Sequence, residues 1–170
     1  MKRYLLLMLP LALAACTKPA QDATPAATAE PAAVAAVETP PVDAGASLPG
    51  YHWQLTDAKG ADGKRIDGLF VRADSPVQLD FADGRVSVSN TCNRMSGGYT
   101  LEADKLTFTP MASTMMACPD PALMALDQDI GKRLEGASTF AVQPGAAPVL
   151  TLTSATGDVL TFTGEPTAET

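Results

Sequence analysis

The stretch Val77-Gln78-Leu79-Asp80-Phe81-Ala82-Asp83-Gly84-Arg85-Val86-Ser87-Val88-Ser89 decides the fold. Val77, Leu79 and Phe81 alternate with Gln78, Asp80 and Ala82, and after Asp83-Gly84 the alternation resumes with Val86 and Val88 between Arg85, Ser87 and Ser89. Successive side chains of a strand point to opposite faces, so a period of two gives each run one apolar and one polar face. Asp-Gly accepts the positive φ that a two-residue hairpin turn demands. The stretch reads as two half-buried antiparallel strands.

The same period recurs on both sides. Trp53 and Leu55, Leu106 and Phe108, Phe140 and Val142, Leu150 and Leu152, and Leu160 and Phe162 each alternate with more polar or smaller neighbours. Ala103-Asp104 and Thr156-Gly157-Asp158 supply further turns,. Residues 119–134 depart from the pattern. Leu123, Leu126, Ile130 and Leu134 recur at spacings of three or four, which makes one apolar helical face,. Asp120 is suited to the N-cap, with Pro121 at the first helical position. Lys132 and Arg133 lie where the helix dipole favours cations, and Gly136 can end the helix. The expected architecture is α+β: a compact antiparallel β-sheet, barrel- or sandwich-like, with one main helix packed on it. It occupies residues 48–164, about the usual size for a single core. Residues 165–170, EPTAET, are expected to fray,.

Before this domain lie two segments of different character. Lys2 and Arg3 precede the apolar run from Tyr4 to Leu13, then come Ala14, Ala15 and Cys16. The run is short against the roughly 20 residues of a spanning helix, and its positive start and small-residue end fit a removed secretory signal over residues 1–15. Leu13-Ala14-Ala15-Cys16 resembles a lipobox, in which the cysteine sulfur takes a diacylglyceryl group and becomes the mature N-terminus. Cys16 is thus the expected lipidation site, and two or more acyl chains suffice for stable anchoring. Thr17 stands where an Asp retains many Gram-negative lipoproteins in the inner membrane. The expectation is therefore a cell-envelope protein, lipid-anchored in the outer membrane and facing the periplasm. Residues 16–47 are dominated by Ala, Pro and Thr and contain no aromatic residue. Such a segment buries too little to order itself and is read as a tether with a reach of about 30 Å.

Charge narrows the partners. Removal of residues 1–15 takes Lys2 and Arg3 and no acid, so the net charge moves from −7 to −9. An acidic chain is not drawn to nucleic-acid phosphates or to anionic headgroups; membrane contact is expected through the lipid. Of three cysteines, Cys16 is assigned to the lipid, and a Cys92–Cys118 disulfide is favoured over two free thiols in an oxidising compartment,. Their spacing does not suit a paired zinc site.

The block Asn90-Thr91-Cys92-Asn93-Arg94-Met95-Ser96-Gly97-Gly98-Tyr99 resembles the first signature of the META/HslJ family. Ala112-Ser113-Thr114-Met115-Met116-Ala117-Cys118 is similar to its second, except that Met115 stands where the family often has Arg. Trp53 and Leu55 match its early strand, and LTLTSATGDVLTFTG its closing hairpin. The resemblance implies a barrel-like or sandwich-like sheet with a helix, in envelope or secreted proteins linked to heat shock, antibiotic tolerance or virulence. It implies no settled biochemical activity.

Chemistry-bearing constellations are sparse. His52, the sole histidine, reads as a surface or satisfied strand residue. Asp57, Asp62 and Asp67 lie near Lys59, Lys64 and Arg65 and read as a solvated loop more than a cation site,. No nucleophile elbow, phosphate loop or EF-hand order is present, so no catalytic residue, cofactor or metal is expected. Asn93, Arg94 and Ser96 are candidate partner-binding residues, against the alternative that they shape a turn with Gly97-Gly98. Met111, Met115, Met116 and Met124 either fill the core or line a groove between helix and sheet. The leading expectation is a non-enzymatic envelope protein that binds another envelope component. The alternatives are a carrier of a small apolar ligand and an inhibitor-like or pilot-like partner of an exported protein.

Overall fold

The computed structural model describes residues 47–167. The signal segment, Cys16, the tether through residue 46 and the last three residues lie outside the described residues. The described elements are β1 (Tyr51–Lys59), β2 (Gln78–Ala82), β3 (Arg85–Ser89), β4 (Met95–Glu102), β5 (Lys105–Phe108), β6 (Ala112–Ser113), helix α1 (Pro121–Leu134), β7 (Gly136–Gln143), β8 (Val149–Ser154) and β9 (Val159–Pro166). Short 3-10 turns cover Leu48–Gly50 and Asp67–Leu69.

Eight strands close an antiparallel barrel in the order β1-β2-β3-β4-β5-β7-β8-β9, with β9 returning to β1; β6 stands outside the ring and pairs only with β4. Asp83 (φ 49°) and Gly84 (φ 70°) form the predicted β2–β3 turn. The register between β1 and β9 shifts at Thr56, between Leu55 and Asp57. This bulge lets both Leu55 and Ala58 be buried in one strand, as the added residue restores the inward phase,. Inward side chains fill the barrel: Trp53, Leu79, Val88, Leu106, Leu150 and Phe162 all belong to one buried core, as an interior of this strand number allows.

The antiparallel order sends four connections to one end: residues 60–77, 90–94, 109–135 and 155–158. Helix α1 lies in the third of them. Leu126, Ile130 and Leu134 are buried in the same core as Leu69 of the 3-10 turn, so the helix closes this end. Asp120 caps it as expected, its carboxylate accepting from the Ala122 amide at 2.9 Å. Gly136 follows at φ 89°. At the other end Leu48 is fully buried, and its carbonyl accepts from Trp53 Nε1 at 2.9 Å.

Gly131 sits inside the helix, where a Cβ would meet the Met95 sulfur at 3.4 Å. That thioether can shift, and alanine gains about 0.8 kcal/mol over glycine in a helix interior. Gly131→Ala is expected to raise the urea midpoint accordingly; a lowered midpoint would show that the Met95 contact is rigid.

Two expectations need correction. Gly97 and Gly98 do not shape a turn; they lie in the interior of β4, and neither has a positive φ. Small size is what the site requires, because a Cβ on Gly97 would meet Met111 Cγ at 3.1 Å and the Thr109 carbonyl at 3.2 Å. The positive φ belongs to Asn90, at 64°. The chain also does not fray directly after Gly164. Glu165 and Pro166 pair with His52 and Tyr51, and the Thr167 amide donates to Gly50 at 3.0 Å. These contacts extend the β1–β9 seam that closes the ring.

Candidate functional site

The helix-bearing end of the barrel is organised around Asn93, in the connection from β3 to β4. Its side chain is buried and ties this connection to two other segments. Its carboxamide oxygen accepts from the Met116 amide at 2.7 Å and from Thr114 Oγ1 at 2.9 Å. Its Nδ2 donates to the Met116 carbonyl at 3.1 Å and to Asp127 of α1 at 2.7 Å. Its backbone amide donates to both Asp127 oxygens, at 3.0 and 3.1 Å. A carboxamide presents an acceptor and a donor side by side, as the edge of a neighbouring strand does, and its NH2 carries a second donor for Asp127,. Asn93 therefore acts on Met116 as a neighbouring strand would.

The Cys92–Cys118 disulfide lies beside it, with a Cα–Cα distance of 6.0 Å. Met124 of α1 packs its sulfur 3.5 Å from Cys92 Sγ. The segment from Ala112 to Cys118 is thus held at one end by pairing with β4, in the middle by Asn93 and at the far end by a covalent bond.

The three residues predicted to form a binding site are not brought together on one surface. Asn93 is consumed internally. Ser96 lies in β4, its hydroxyl 3.5 Å from Arg85. Arg94 alone is exposed, and its backbone exchanges contacts with Thr114: the Arg94 amide donates to Oγ1 at 3.2 Å, and the Thr114 amide donates to the Arg94 carbonyl at 3.1 Å. The structure instead displays two methionines. Met115 is 98% exposed and Met116 61% exposed. Beside them a shallow recess of about 420 Å³ is lined by Arg72, Asn90, Arg94, Thr114 and Met116, among others.

The methionines do not form a common groove. Met111 packs against the core, Met124 lies by the disulfide, and the recess between Met95, Met111 and Gly131 holds only about 220 Å³, below the usual range for a small-molecule site. His52 makes a cross-strand pair with Asp80 at 2.5 Å on the half-exposed outer face. Asp57, Asp62 and Asp67 are paired with the loop's own cations: Lys59 with Asp57 at 2.7 Å, Lys64 with Asp62 at 3.0 Å and Arg65 with Asp67 at 3.2 Å. The hydrogen bond and charge of Lys59 hold the Asp57 carboxyl below its ordinary range, against a partial desolvation. Among the described residues no group of three or more His, Cys, Asp or Glu could hold a metal ion, and no helix is long and apolar enough to cross a membrane.

Two partners were not legible as site residues. Asp127 lies one position past Leu126 on α1, where an acid bordering an apolar face reads as solvated. Arg133 reads as a dipole-compensating cation, yet it bonds Asp158 in the β8–β9 turn and lies 3.9 Å from Asp129.

Tyr99 of β4 stands edge-on to Phe81 at 5.1 Å. Desolvation, reinforced by the Asp83 charge, raises its phenol above the ordinary value. The folded form then keeps a proton that the unfolded form releases near pH 10, so the Tyr99 contribution is complete below that pH and is lost as pH rises through the folded-state value. Urea unfolding from pH 9 to 11.5 should show this decline, and Tyr99→Phe should flatten it; an unchanged slope in the variant would exclude Tyr99 as the cause.

These features define a class: a small closed antiparallel barrel, sealed at one end by a single helix that a disulfide-bonded loop ties down. The META domain family model matches residues 46–167, and the chain belongs to that family. It is similar to Heat shock protein HslJ of Escherichia coli (strain K12), at 35% identity over 74 residues, covering 42% of this chain and 53% of that protein. The match thus spans about half the length of that relative. A protein from Burkholderia xenovorans solved by NMR has a similar structure, with a TM-score of 0.61 and 28% identity over 76% of this chain and 93% of the other.

Proposed function

We propose that this chain is a non-enzymatic, lipid-anchored envelope protein whose META domain binds another envelope component through the helix-bearing end of the barrel. The observation that carries the reading is Met115. A large apolar side chain almost wholly in water is held on a segment fixed by Asn93 and by a disulfide. Displayed apolar side chains on a pre-organised support are what binding surfaces use, because little entropy is lost when a partner covers them. Two further observations support the setting. The order of n-region, apolar run, small residues and Cys16 suits a lipoprotein precursor,. The relative HslJ is named a heat shock protein, which favours a role in stress tolerance or envelope maintenance.

The surface is tested by placing a photo-crosslinking side chain at Met115, and separately at Asp104 at the opposite end, in living cells. A discrete adduct from position 115 alone is expected. Adducts from neither position, or equally from both, would reject this end as the binding face. The anchor is tested by intact mass of membrane-extracted protein. A lipidated mass starting at Cys16 and absent from Cys16→Ser is expected; an unlipidated mass retaining residues 1–15 would reject it.

A further inference from the structure

Each barrel strand has a partner on both sides, whereas β6 has one on only one side. The register fixes which of its backbone groups are spare. Ser113 lies opposite Met95, Ala112 opposite Ser96, and the Thr114 amide bonds the Arg94 carbonyl. In an antiparallel ladder this makes Thr114 and Ala112 the inward-bonding positions, and it points the amide and carbonyl of Ser113 away from β4. Beyond β6 the same alternation continues. Met116 turns its amide and carbonyl inward to Asn93, so those of Met115 face outward with those of Ser113. No hydrogen bond among the described residues engages the backbone amide or carbonyl of Met115. Every residue from Ala112 to Ala117 is exposed.

Open edges are normally guarded by charge, by proline or by a covering element. Between Met111 and Cys118 the sequence Ala-Ser-Thr-Met-Met-Ala contains neither a charge nor a proline. The edge is also rigid, since Asn93 and Cys118 fix it from within. The nearby recess is lined by Arg72 and Arg94, and no ion pair among the described residues engages either arginine. On a chain of net charge −7 this is a locally cationic spot beside an apolar one.

We propose that the outward edge of residues 113–117 receives an extended acidic–apolar polypeptide segment as an added antiparallel or parallel strand. Backbone bonds to Ser113 and Met115 would supply the pairing, Met115 would cover the apolar side chains on its face, and Arg72 and Arg94, beside Met116 in the recess, would meet carboxylates on the other,. This is the peptide-addition mode in which main-chain bonds give affinity and alternate side chains give selectivity. The proposal rests on the binding face proposed above and adds the chemistry and geometry of what occupies it.

The test uses the full chain and an acetylated, amidated eight-residue peptide alternating valine and glutamate. A second peptide has the same sequence with alternate backbone amides N-methylated, which removes donors from one edge and keeps every side chain. Binding is followed by calorimetry and by protection of the Ser113 and Met115 amides from hydrogen exchange. The expected result is binding of the first peptide with protection of both amides, weakened about tenfold or more by N-methylation and by Ser113→Pro. Equal binding of both peptides would overturn the strand mode. Binding of neither, with a Met115 crosslink still found in cells, would overturn this proposal and leave the binding face standing; with no crosslink, both fall. Concentration-dependent dimerisation lost in Ser113→Pro would assign the edge to a second copy instead and overturn the proposal.

Discussion

Asn93→Asp is expected to lower folding stability by about 4 kcal/mol at neutral pH, because it removes bonds to a charged acceptor and leaves like groups facing each other. The change keeps size and shape and replaces the Nδ2 donor by an oxygen. That atom now lies 2.7 Å from Asp127 and 3.1 Å from the Met116 carbonyl. Two acceptors thereby oppose the new carboxylate at the centre of the tie between β4, α1 and the loop before it. Asn93→Ala removes the same donors without adding charge and should cost about 3 kcal/mol. The two variants differ in sign with pH. In Asn93→Asp the folded form gains a proton between the facing carboxylates before the unfolded form does, so its stability should rise as pH falls towards about 4. Asn93→Ala should show no such gain relative to the parent chain. Urea titrations at pH 7 and pH 4.5 read both effects. A loss below about 1 kcal/mol for either variant would mean that the loop is held without Asn93.

Removing the disulfide by Cys92→Ala with Cys118→Ala should cost roughly 3.5 kcal/mol in the chain-entropy account of a loop this long. The sequence separation is 26 residues, and the loop encloses β4, β5 and β6. For a domain of this size the loss corresponds to a fall in melting temperature of about 10–15 °C. The parent chain under reductant should fall by a similar amount, which separates the effect of the bond from that of the changed side chains. Coinciding melts with and without reductant would show that the bond contributes nothing. Both substitutions loosen the segment that displays Met115, so both should also weaken whatever binds there, even though neither side chain is on the surface.

The parts of the fold that were legible in the sequence are those where a single period governs. Strands such as β2, β3, β8 and β9 carry alternation strong enough to stand alone, and Leu123, Leu126, Ile130 and Leu134 trace the helix. The strand β4 was hidden for a physical reason. In its first half the inward residues are Met95 and the sterically required Gly97, so apolar alternation begins only at Tyr99 and Leu101. The Thr56 bulge likewise shifts the phase of β1 after Leu55, and no local pattern announces such a shift. The site was legible as a pair of blocks, and the disulfide between them as a pairing. The role of Asn93 was not, because asparagine reads the same whether it faces solvent or substitutes for a missing strand. Its partners, Thr114, Met116 and Asp127, lie more than 20 residues away in sequence, and only the closed barrel brings them to it.

The pairing of Tyr51 with Pro166 and of Lys59 with Val159 has a consequence for how the chain is made. During synthesis the hairpins from β2 to β8 can each form from neighbours, but β1 keeps a bare edge until the last strand exists. Bringing the two together closes a loop of about a hundred residues, a slow, non-local step. A copy stopped short of β9 is therefore not a smaller version of this protein. It is an open sheet with two sticky edges, and quality control would meet it as an aggregation hazard.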